Sequence, residues 1–436
     1  MKLAVVVQRY GAEISGGAEL HARYIAEHLA KHAEVEVLTT CARDYIAWRN
    51  EFPAGVDQLN GLPLRRFPVN RERHPKTFAR RSEQVFHHTH SLADELAWLE
   101  SEGPASSSLV RYIQSNVARY DFFIFFSYRY YHAYHGIRAA APRAVLVPTA
   151  ERDPAIGLEI FRPVFRGVRA LMFNSFEERD LIGAVSGARD LPGVVVGVGS
   201  EVPSDTDPQR FRERYGVKGR FAIYVGRVDE NKGCRDLFWH FERYARATPG
   251  GLSLVLVGAS ILPIPDHPRV RHLGFLPDQD KFDAIAASDV LVMPSYLESL
   301  SMVLLEAWAL GRPVLANAKC DVLKGQCLRS NAGLYYENGA EFTEALRWIA
   351  ASSPLVQELG ANGRAYYQRH YRWPVVERKY LDMLDRLKNE PDGPAGRRSR
   401  LEPLPGWLAR REKKIRASAE VVAQLPEGPS GVSRGD

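Results

Sequence analysis

At 436 residues the chain is long enough for two to three domains of ~150 residues, which excludes a single small module. Its 45% hydrophobic, 25% charged and 10% aromatic residues are the proportions of a folded protein and exclude a collagen-like, coiled-coil or disordered chain. The net charge of +6 is uneven: between positions 65 and 81 Arg65, Arg66, Arg71, Arg73, Lys76, Arg80 and Arg81 stand against one acid, Glu72, and the remainder is near neutral. That segment has the charge to meet phosphates, an anionic membrane or nucleic acid, or simply to be solvated; without a nucleic-acid reading motif, no nucleic-acid partner is expected. Cys41, Cys234, Cys320 and Cys327 form no C-x-x-C pair, so neither a disulfide framework nor a zinc ribbon is encoded and a reducing cytoplasm is the expected compartment. No run of 18 apolar residues occurs, and the apolar stretch after Met1 is too short for a secretory signal, so neither membrane spanning nor export is expected.

Taken in chain order, short apolar runs alternate with longer amphipathic stretches. The runs Leu3–Val7, Val35–Leu38, Phe122–Phe126, Ala144–Val147 and Ala170–Phe173 read as buried parallel strands of a first half. Ala222–Val225, Leu252–Val257, Val290–Met293 and Val314–Ala316 repeat the pattern in a second half. Helical patterns such as Ala18–His32, Cys234–Ala247, Lys281–Ala287 and Met302–Leu310 lie between them, which predicts α/β architecture with two doubly wound sheets. The break falls near Val198–Gly219, where Pro203, Ser204, Asp205, Thr206, Asp207 and Pro208 cluster. Expected domains are therefore 1–203 and 204–373. A helix at about 374–388, with its apolar stripe Val375, Val376, Tyr380, Leu381, Leu384 and Leu387, packs back on the first domain and completes it. Residues 389–436 turn to Pro, Gly, Ser and Arg, apart from a basic patch around Trp407–Ala419, and read as a mobile basic tail with one marginal helix.

Three constellations carry chemistry. Gly16-Gly17-Ala18-Glu19 follows the first strand, where two glycines let backbone approach a ligand and leave helix-start amides available; it does not match the G-x-G-x-x-G fingerprint, and a tight connection is the alternative. Val225-Gly226-Arg227-Val-Asp-Glu-Asn-Lys232-Gly233 is the first strand-to-helix turn of the second half, with a guanidinium fork and a point charge that together can neutralise a diphosphate; the alternative is a polar loop balanced by Asp229 and Glu230. Glu298-Ser-Leu-Ser-Met-Val-Leu-Leu-Glu306-Ala-Trp-Ala-Leu-Gly311 places one carboxylate before a helix start and a second within an otherwise apolar helix. The charge of Glu306 needs partners, and ligand hydroxyls or a structural Glu–Arg pair would supply them.

Together these marks resemble a retaining glycosyltransferase of family 4, glycosyl transferases group 1, over Lys2 to about Leu387. The resemblance implies the GT-B fold, two Rossmann-like domains facing a cleft. It implies that Arg227 and Lys232 bind the donor diphosphate, Glu298 the donor sugar, Glu306 the ribose hydroxyls, and that Gly16 and Gly17 line the phosphate side. Leu300 and Ser301 stand where relatives often carry Phe-Gly and shape the sugar pocket. In Gly197-Val-Gly199-Ser200-Glu201, resembling the family's G-V-G-V-D stretch, Ser200 and Glu201 depart from it. In Val147-Pro-Thr-Ala-Glu151-Arg-Asp153 many relatives carry a histidine near position 151 that contacts the donor sugar; Glu151 and Asp153 are the candidates here.

The function so implied is retaining, metal-independent transfer of a sugar from a nucleotide diphosphate sugar, such as a UDP- or GDP-sugar, to an acceptor hydroxyl in polysaccharide or glycolipid assembly. No further cofactor is implied. A carbohydrate or lipid-linked acceptor and peripheral contact with anionic membrane at the cytoplasmic face accompany that expectation. A sugar-nucleotide epimerase on a similar fold, or a non-catalytic scaffold, are the rival readings. Asp205-Thr-Asp207 and Asp278-Gln-Asp280 spell D-x-D but sit in the linker and at a helix start, and His87-His88-Thr-His90 lacks a neighbouring ligand cluster and reads as a solvated helix face, so no metal is expected.

Overall fold

The computed structural model describes residues 1–14, 16–390 and 401–432. The chain divides into two compact units, the described residues of Met1–Val198 with Val376–Pro426, and those of Gly199–Val375 with Glu427–Asp436. The strands are β1 Lys2–Val6, β2 Glu34–Thr40, β3 Gly55–Leu59, β4 Leu62–Phe67, β5 His90–Ser91, β6 Phe122–Phe126, β7 Ala144–Val147, β8 Ala170–Phe173, β9 Gly193–Val195, β10 Phe221–Val225, β11 Ser253–Val257, β12 Val270–His272, β13 Val290–Met293, β14 Val314–Asn317, β15 Gly333–Tyr336 and β16 Lys414–Ile415.

The first unit is built on an eight-stranded sheet in the order β3-β4-β2-β1-β6-β7-β8-β9, parallel throughout except for β3 against β4. Phe122–Phe126 is buried at all five positions, as expected where helices cover both faces of a parallel sheet. Trp98, Leu99, Leu109, Ile113, Tyr134 and Ile137 form the core on one side of it. The second unit has six parallel strands in the order β12-β11-β10-β13-β14-β15. The helix Cys234–Ala247 covers it with Leu237, Phe238, Phe241 and Tyr244 on one side, the spacing of an amphipathic helix. The strand order reverses direction between β1 and β6 in one sheet and between β10 and β13 in the other. In such sheets ligands bind beyond the carboxyl ends of the strands at these two places.

The helix Trp373–Lys388 begins in the second unit and from Val376 onward belongs to the first, burying Val376, Tyr380, Met383, Leu384 and Leu387. Lys379 donates to Val196 O, 3.3 Å away.

Three expectations differ from the structure. The basic segment 65–81 is largely consumed internally: Arg65 pairs with Glu36 at 3.2 Å, buried Arg66 pairs with Asp57, Arg73 pairs with Glu102 at 2.6 Å, and Arg81 donates to Ala97 O. Arg71, Lys76 and Arg80 are exposed. The tail forms the helices Trp407–Glu412 and Ser418–Ala423 around β16, which pairs with β5, and buries Ile415, Ala417 and Val422. Ile415 stands between Lys414 and Arg416, and Val422 lies in the short run Val421–Ala423, too little apolar mass for a core of its own, so each is buried within the first unit. Positions 391–400 and 433–436 of the expected tail lie outside the described residues. His90 is core rather than solvated: its Nε2 lies 2.9 Å from Glu95 Oε1, both side chains fully buried.

Candidate functional site

In the second unit the two loops that carry chemistry leave neighbouring strands. β10 and β13 pair in register, Ala222 with Val290, and the Arg227–Lys232 turn and the Pro294–Ser301 loop emerge side by side from their carboxyl ends. Gly233 makes the approach possible. It caps the helix Cys234–Ala247 at φ 72°, and a Cβ there would stand 2.2 Å from Pro294 O, a distance no side chain tolerates. With the loops in contact, Lys232 Nζ lies 2.8 Å from Glu298 Oε1 although 66 positions separate the two. Lys232 is 37% exposed and Glu298 13%, so the pair is within reach of a ligand.

Buried Asp229 organises the turn. Its Oδ1 accepts from Lys232 N at 2.8 Å, its Oδ2 pairs with Arg227 Nε, and its backbone carbonyl accepts from Cys234 N. Tyr224 Oη donates to Arg227 O at 2.8 Å, anchoring the turn to β10. Asp229 therefore positions both cations. Sequence reasoning placed it only in the alternative of a charge-balanced loop, since nothing local marks it as buried.

Ser301 caps the helix Met302–Ala309 by accepting from Leu304 N at 3.3 Å, and Leu300 is buried beside it. Glu306, four per cent exposed within this helix, is paired with Lys281 rather than with an arginine: Nζ to Oε1 is 2.9 Å. Burial raises its carboxyl above the ordinary range, against the lowering effect of Lys281. Its other oxygen, Oε2, is buried without a hydrogen-bond partner among the described residues. A buried carboxylate oxygen in that condition is costly and can be met by a ligand hydroxyl.

The first unit offers a second set beyond β1, β6 and β7. Gly16 caps the helix Gly17–Leu29 without a side chain, and Glu19 folds back over it, so that a Cβ on Gly16 would stand 2.2 Å from Glu19 Oε2. Arg9 holds Glu19 there, Nε to Oε1 2.8 Å. At Gly17 a Cβ would meet nothing within 4 Å among the described residues, so packing does not demand glycine. Beyond β6 and β7, Ser127 at φ 65° and Thr149 at φ 48° are both left-handed, a conformation that costs on the order of 1–3 kcal/mol each. Their hydroxyls hydrogen-bond at 2.7 Å, and Ala150 N donates to Glu178 Oε1 at 2.5 Å. Burial pushes the Glu178 carboxyl up to about 8, although the amides of Ala150 and Asn174 favour its ionised form.

This strained turn presents Glu151, half-buried, and Asp153. Asp153 Oδ2 pairs with Arg129 at 2.6 Å, while its Oδ1 is buried without a partner among the described residues. Arg129 Nε in turn reaches Glu102 at 2.8 Å, and Glu102 reaches Arg73. Nothing in the sequence signalled Glu178 or Arg129, since each acts through contacts distant along the chain. In Gly197-Val-Gly199, a Cβ on Gly199 would stand 2.5 Å from the Trp373 ring, so packing dictates that glycine.

The D-x-D pairs have structural partners. Asp207 caps the helix Pro208–Tyr215, and buried Asp280 holds Arg214 at 3.0 Å and Tyr215 Oη at 2.7 Å. Among the described residues no group of three or more His, Cys, Asp or Glu side chains is arranged to hold a metal ion. All four cysteines are buried, and none is in a disulfide among the described residues. No described helix is long and apolar enough to cross a membrane.

Residues 219–352 match the family model of glycosyl transferases group 1. A curated relative, alpha-D-kanosaminyltransferase of Streptomyces kanamyceticus, is 31% identical over 128 residues, which are 26% of this chain and 32% of that protein. D-rhamnosyltransferase WbpZ of Pseudomonas aeruginosa is 26% identical over 180 residues, 38% of this chain and 45% of its own length. The chain thus spans less than half the length of these curated relatives. Among solved structures, sucrose-phosphate synthase from Thermosynechococcus elongatus matches 88% of this chain and 98% of its own at TM-score 0.65 and 17% identity. Anabaena Alr3699/HepE in complex with UDP matches 89% of this chain and all of its own at TM-score 0.65 and 16% identity. These structures share the fold, which is GT-B, and the stretch of the second unit from 219 to 352 is similar to glycosyl transferases group 1.

Proposed function

We propose that the protein is a retaining glycosyltransferase that moves a sugar from a nucleotide diphosphate sugar, of the UDP or GDP class, to an acceptor hydroxyl. The observation that carries this is the contact of Lys232 with Glu298 beyond the paired strands β10 and β13, with Glu306 Oε2 left unpaired nearby in the same loop-helix segment. A lysine held against a carboxylate on one ligand-binding edge suits a ligand that carries phosphate at one end and hydroxyls at the other. The solved structure of Alr3699/HepE holds UDP, and another of the same protein holds UDP-glucose, which supports a nucleotide-sugar donor here.

In this reading Arg227 and Lys232 compensate the charge of the departing diphosphate, Glu298 accepts from the donor sugar, and Glu306 Oε2 accepts from the ribose. Following the resemblance, the Gly16-Gly17 helix start offers amides to a phosphate, Leu300 and Ser301 shape the sugar pocket, and Glu151 or Asp153 is the candidate for a sugar contact. Catalysis then consists of holding the acceptor close and stabilising a departing diphosphate and an oxocarbenium-like sugar. Following the resemblance, the acceptor attacks from the leaving-group side and the departing phosphate takes its proton, so the configuration is retained without a protein nucleophile. Two cations and a helix start suit this chemistry without a metal ion.

The acceptor we propose is a carbohydrate or lipid-linked sugar in polysaccharide or glycolipid assembly, met in the cytoplasm at the membrane face. Exposed Arg71, Lys76 and Arg80 and the helix Trp407–Glu412, with Trp407 and Leu408 exposed and Arg411 stacked 4.3 Å over the Trp407 ring, support peripheral docking on anionic lipid. The test is a thermal-shift screen of UDP- and GDP-sugars, followed by transfer to sugar acceptors and NMR assignment of the product anomer. An α product from an α donor supports the reading; an inverted product, or epimerised donor in the absence of acceptor, rejects it.

A further inference from the structure

The tail after residue 400 lies outside the donor-binding loops, yet it grips the segment that presents Glu151 and Asp153. That segment is tied at its start by Glu178 through Ala150 N. Two residues on, the Arg152 guanidinium donates to the carbonyls of Val422 at 3.3 Å, Leu425 at 2.9 Å and Pro426. These belong to the end of the helix Ser418–Ala423 and the turn after it, where backbone acceptors lack helical partners. The 3-10 turn Pro154–Gly157 then packs on the same helix so closely that a Cβ on Gly157 would stand 2.5 Å from Ser418 O and 3.1 Å from Val422 Cγ2. Val422 itself enters the apolar cluster of Ile156 and Leu158.

The tail is also fixed elsewhere. β16 pairs with β5, Ile415 opposite His90, and Lys413 reaches Glu159 at 2.7 Å. Buried Glu95, the partner of His90, accepts from the amides of Glu159 and Ile160 at 3.1 and 2.9 Å. Tail, β5 and the 151–160 segment therefore form one connected set of contacts. An arginine whose donors go to three backbone carbonyls of one distant segment specifies position, because a merely apolar contact would accept many geometries.

We propose that residues 401–426 are a clasp that fixes the 151–157 segment, with Arg152 as the positioning residue that sets Glu151 and Asp153 for the sugar of the donor; the second half of this statement rests on the glycosyltransferase reading above. Strain at Thr149 favours departure of the segment from its observed path, and the clasp opposes it. Small displacements of sugar-positioning groups are costly, since misplacement by about 1 Å lowers rates as much as 100-fold.

The test uses the full-length chain with Val422→Asp and Gly157→Ala, which pry the clasp from opposite sides, and with Arg152→Ala and Arg152→Lys. Hydrogen exchange of the amides at 151–157 is expected to accelerate at least about tenfold in the first three, with partial return of protection in Arg152→Lys. Unchanged protection in Val422→Asp and Gly157→Ala overturns the clasp. For transfer, the expectation is a drop of about tenfold or more in kcat/KM for the nucleotide sugar, with the Kd of free UDP or GDP moved less than about twofold. Variants with a loosened segment and unaltered kcat and KM overturn the positioning role. Absence of transfer in the unmodified protein rejects the glycosyltransferase reading instead, and the exchange experiment still decides the clasp.

Discussion

Lys232 and Glu298, on loops from adjacent parallel strands, meet at 2.8 Å, and the glycine that follows Lys232 touches the backbone of Pro294. Cation and carboxylate are thereby presented together at the reversal of the strand order. Because both are partly exposed, their mutual attraction contributes no more than ~1 kcal/mol to folding. The pair matters through what it offers a ligand.

Lys232→Ala and Arg227→Ala are each expected to lower kcat by about 100-fold or more, because under the proposed function each removes charge that compensates the leaving diphosphate. Melting temperatures should move little for Lys232→Ala. Full turnover in either folded variant would show that these cations do not serve the leaving group.

Glu306 provides a sharper probe through its unpaired Oε2. A site that pairs a buried oxygen with a ribose hydroxyl rejects the analogue lacking it, so UDP should bind at least about tenfold more tightly than its 2′,3′-dideoxy counterpart, with the GDP pair compared in the same way. In Glu306→Gln that ratio should shrink. A ratio near one in the unmodified protein places the ribose elsewhere.

Much of this site was legible in the sequence and part was not. The Glu298–Glu306 spacing, the Arg227–Lys232 turn and the buried strands that lead to them are local patterns, and the structure places them as the periodicity indicates. What could not be read depends on contacts far apart in the chain. Asp229 gives no local sign of burial, Lys281 is 25 positions from Glu306, and Glu178 is 28 positions from Ala150. Strands β3, β4, β12 and β15 also escape the pattern, since such stretches as Gly55–Leu59 and Val270–His272 are partly or wholly solvent-exposed and lack an apolar run. The tail misled for the same reason in reverse: Ile415 stands singly between charged residues and Val422 in a run of only three apolar residues, yet both are buried within the first unit.

The pH dependence of stability should carry the signature of Glu178. Its carboxyl rises from an ordinary value of 4.5 to about 8 on folding, so the folded state holds the proton more tightly. That contribution to stability is complete below about pH 4.5 and is lost as pH rises toward 8. Relative to the unmodified protein, Glu178→Gln should therefore gain on the order of a few kcal/mol between pH 5 and 8, measured by chemical denaturation. A difference between the two proteins that does not vary with pH would remove Glu178 as a titrating group.

Membrane docking is tested by flotation with liposomes. The basic residues left exposed contribute about 1 kcal/mol each near an anionic surface, so binding should need anionic lipid and weaken at high salt. It should fall when Arg71, Lys76 and Arg80 become Ser, and fall again with Trp407→Ser. Arg66 and Arg73 are unsuitable for this purpose because they are spent on Asp57 and Glu102. Equal recovery with neutral and anionic liposomes points to a soluble acceptor.

The most direct measurement is calorimetric titration of the purified protein with UDP- and GDP-sugars in the presence of EDTA, repeated with Lys232→Ala. The proposed donor site requires saturable binding of at least one nucleotide sugar without added metal, weakened at least about tenfold by the substitution. Binding that appears only on addition of manganese, or that is indifferent to Lys232, would contradict it.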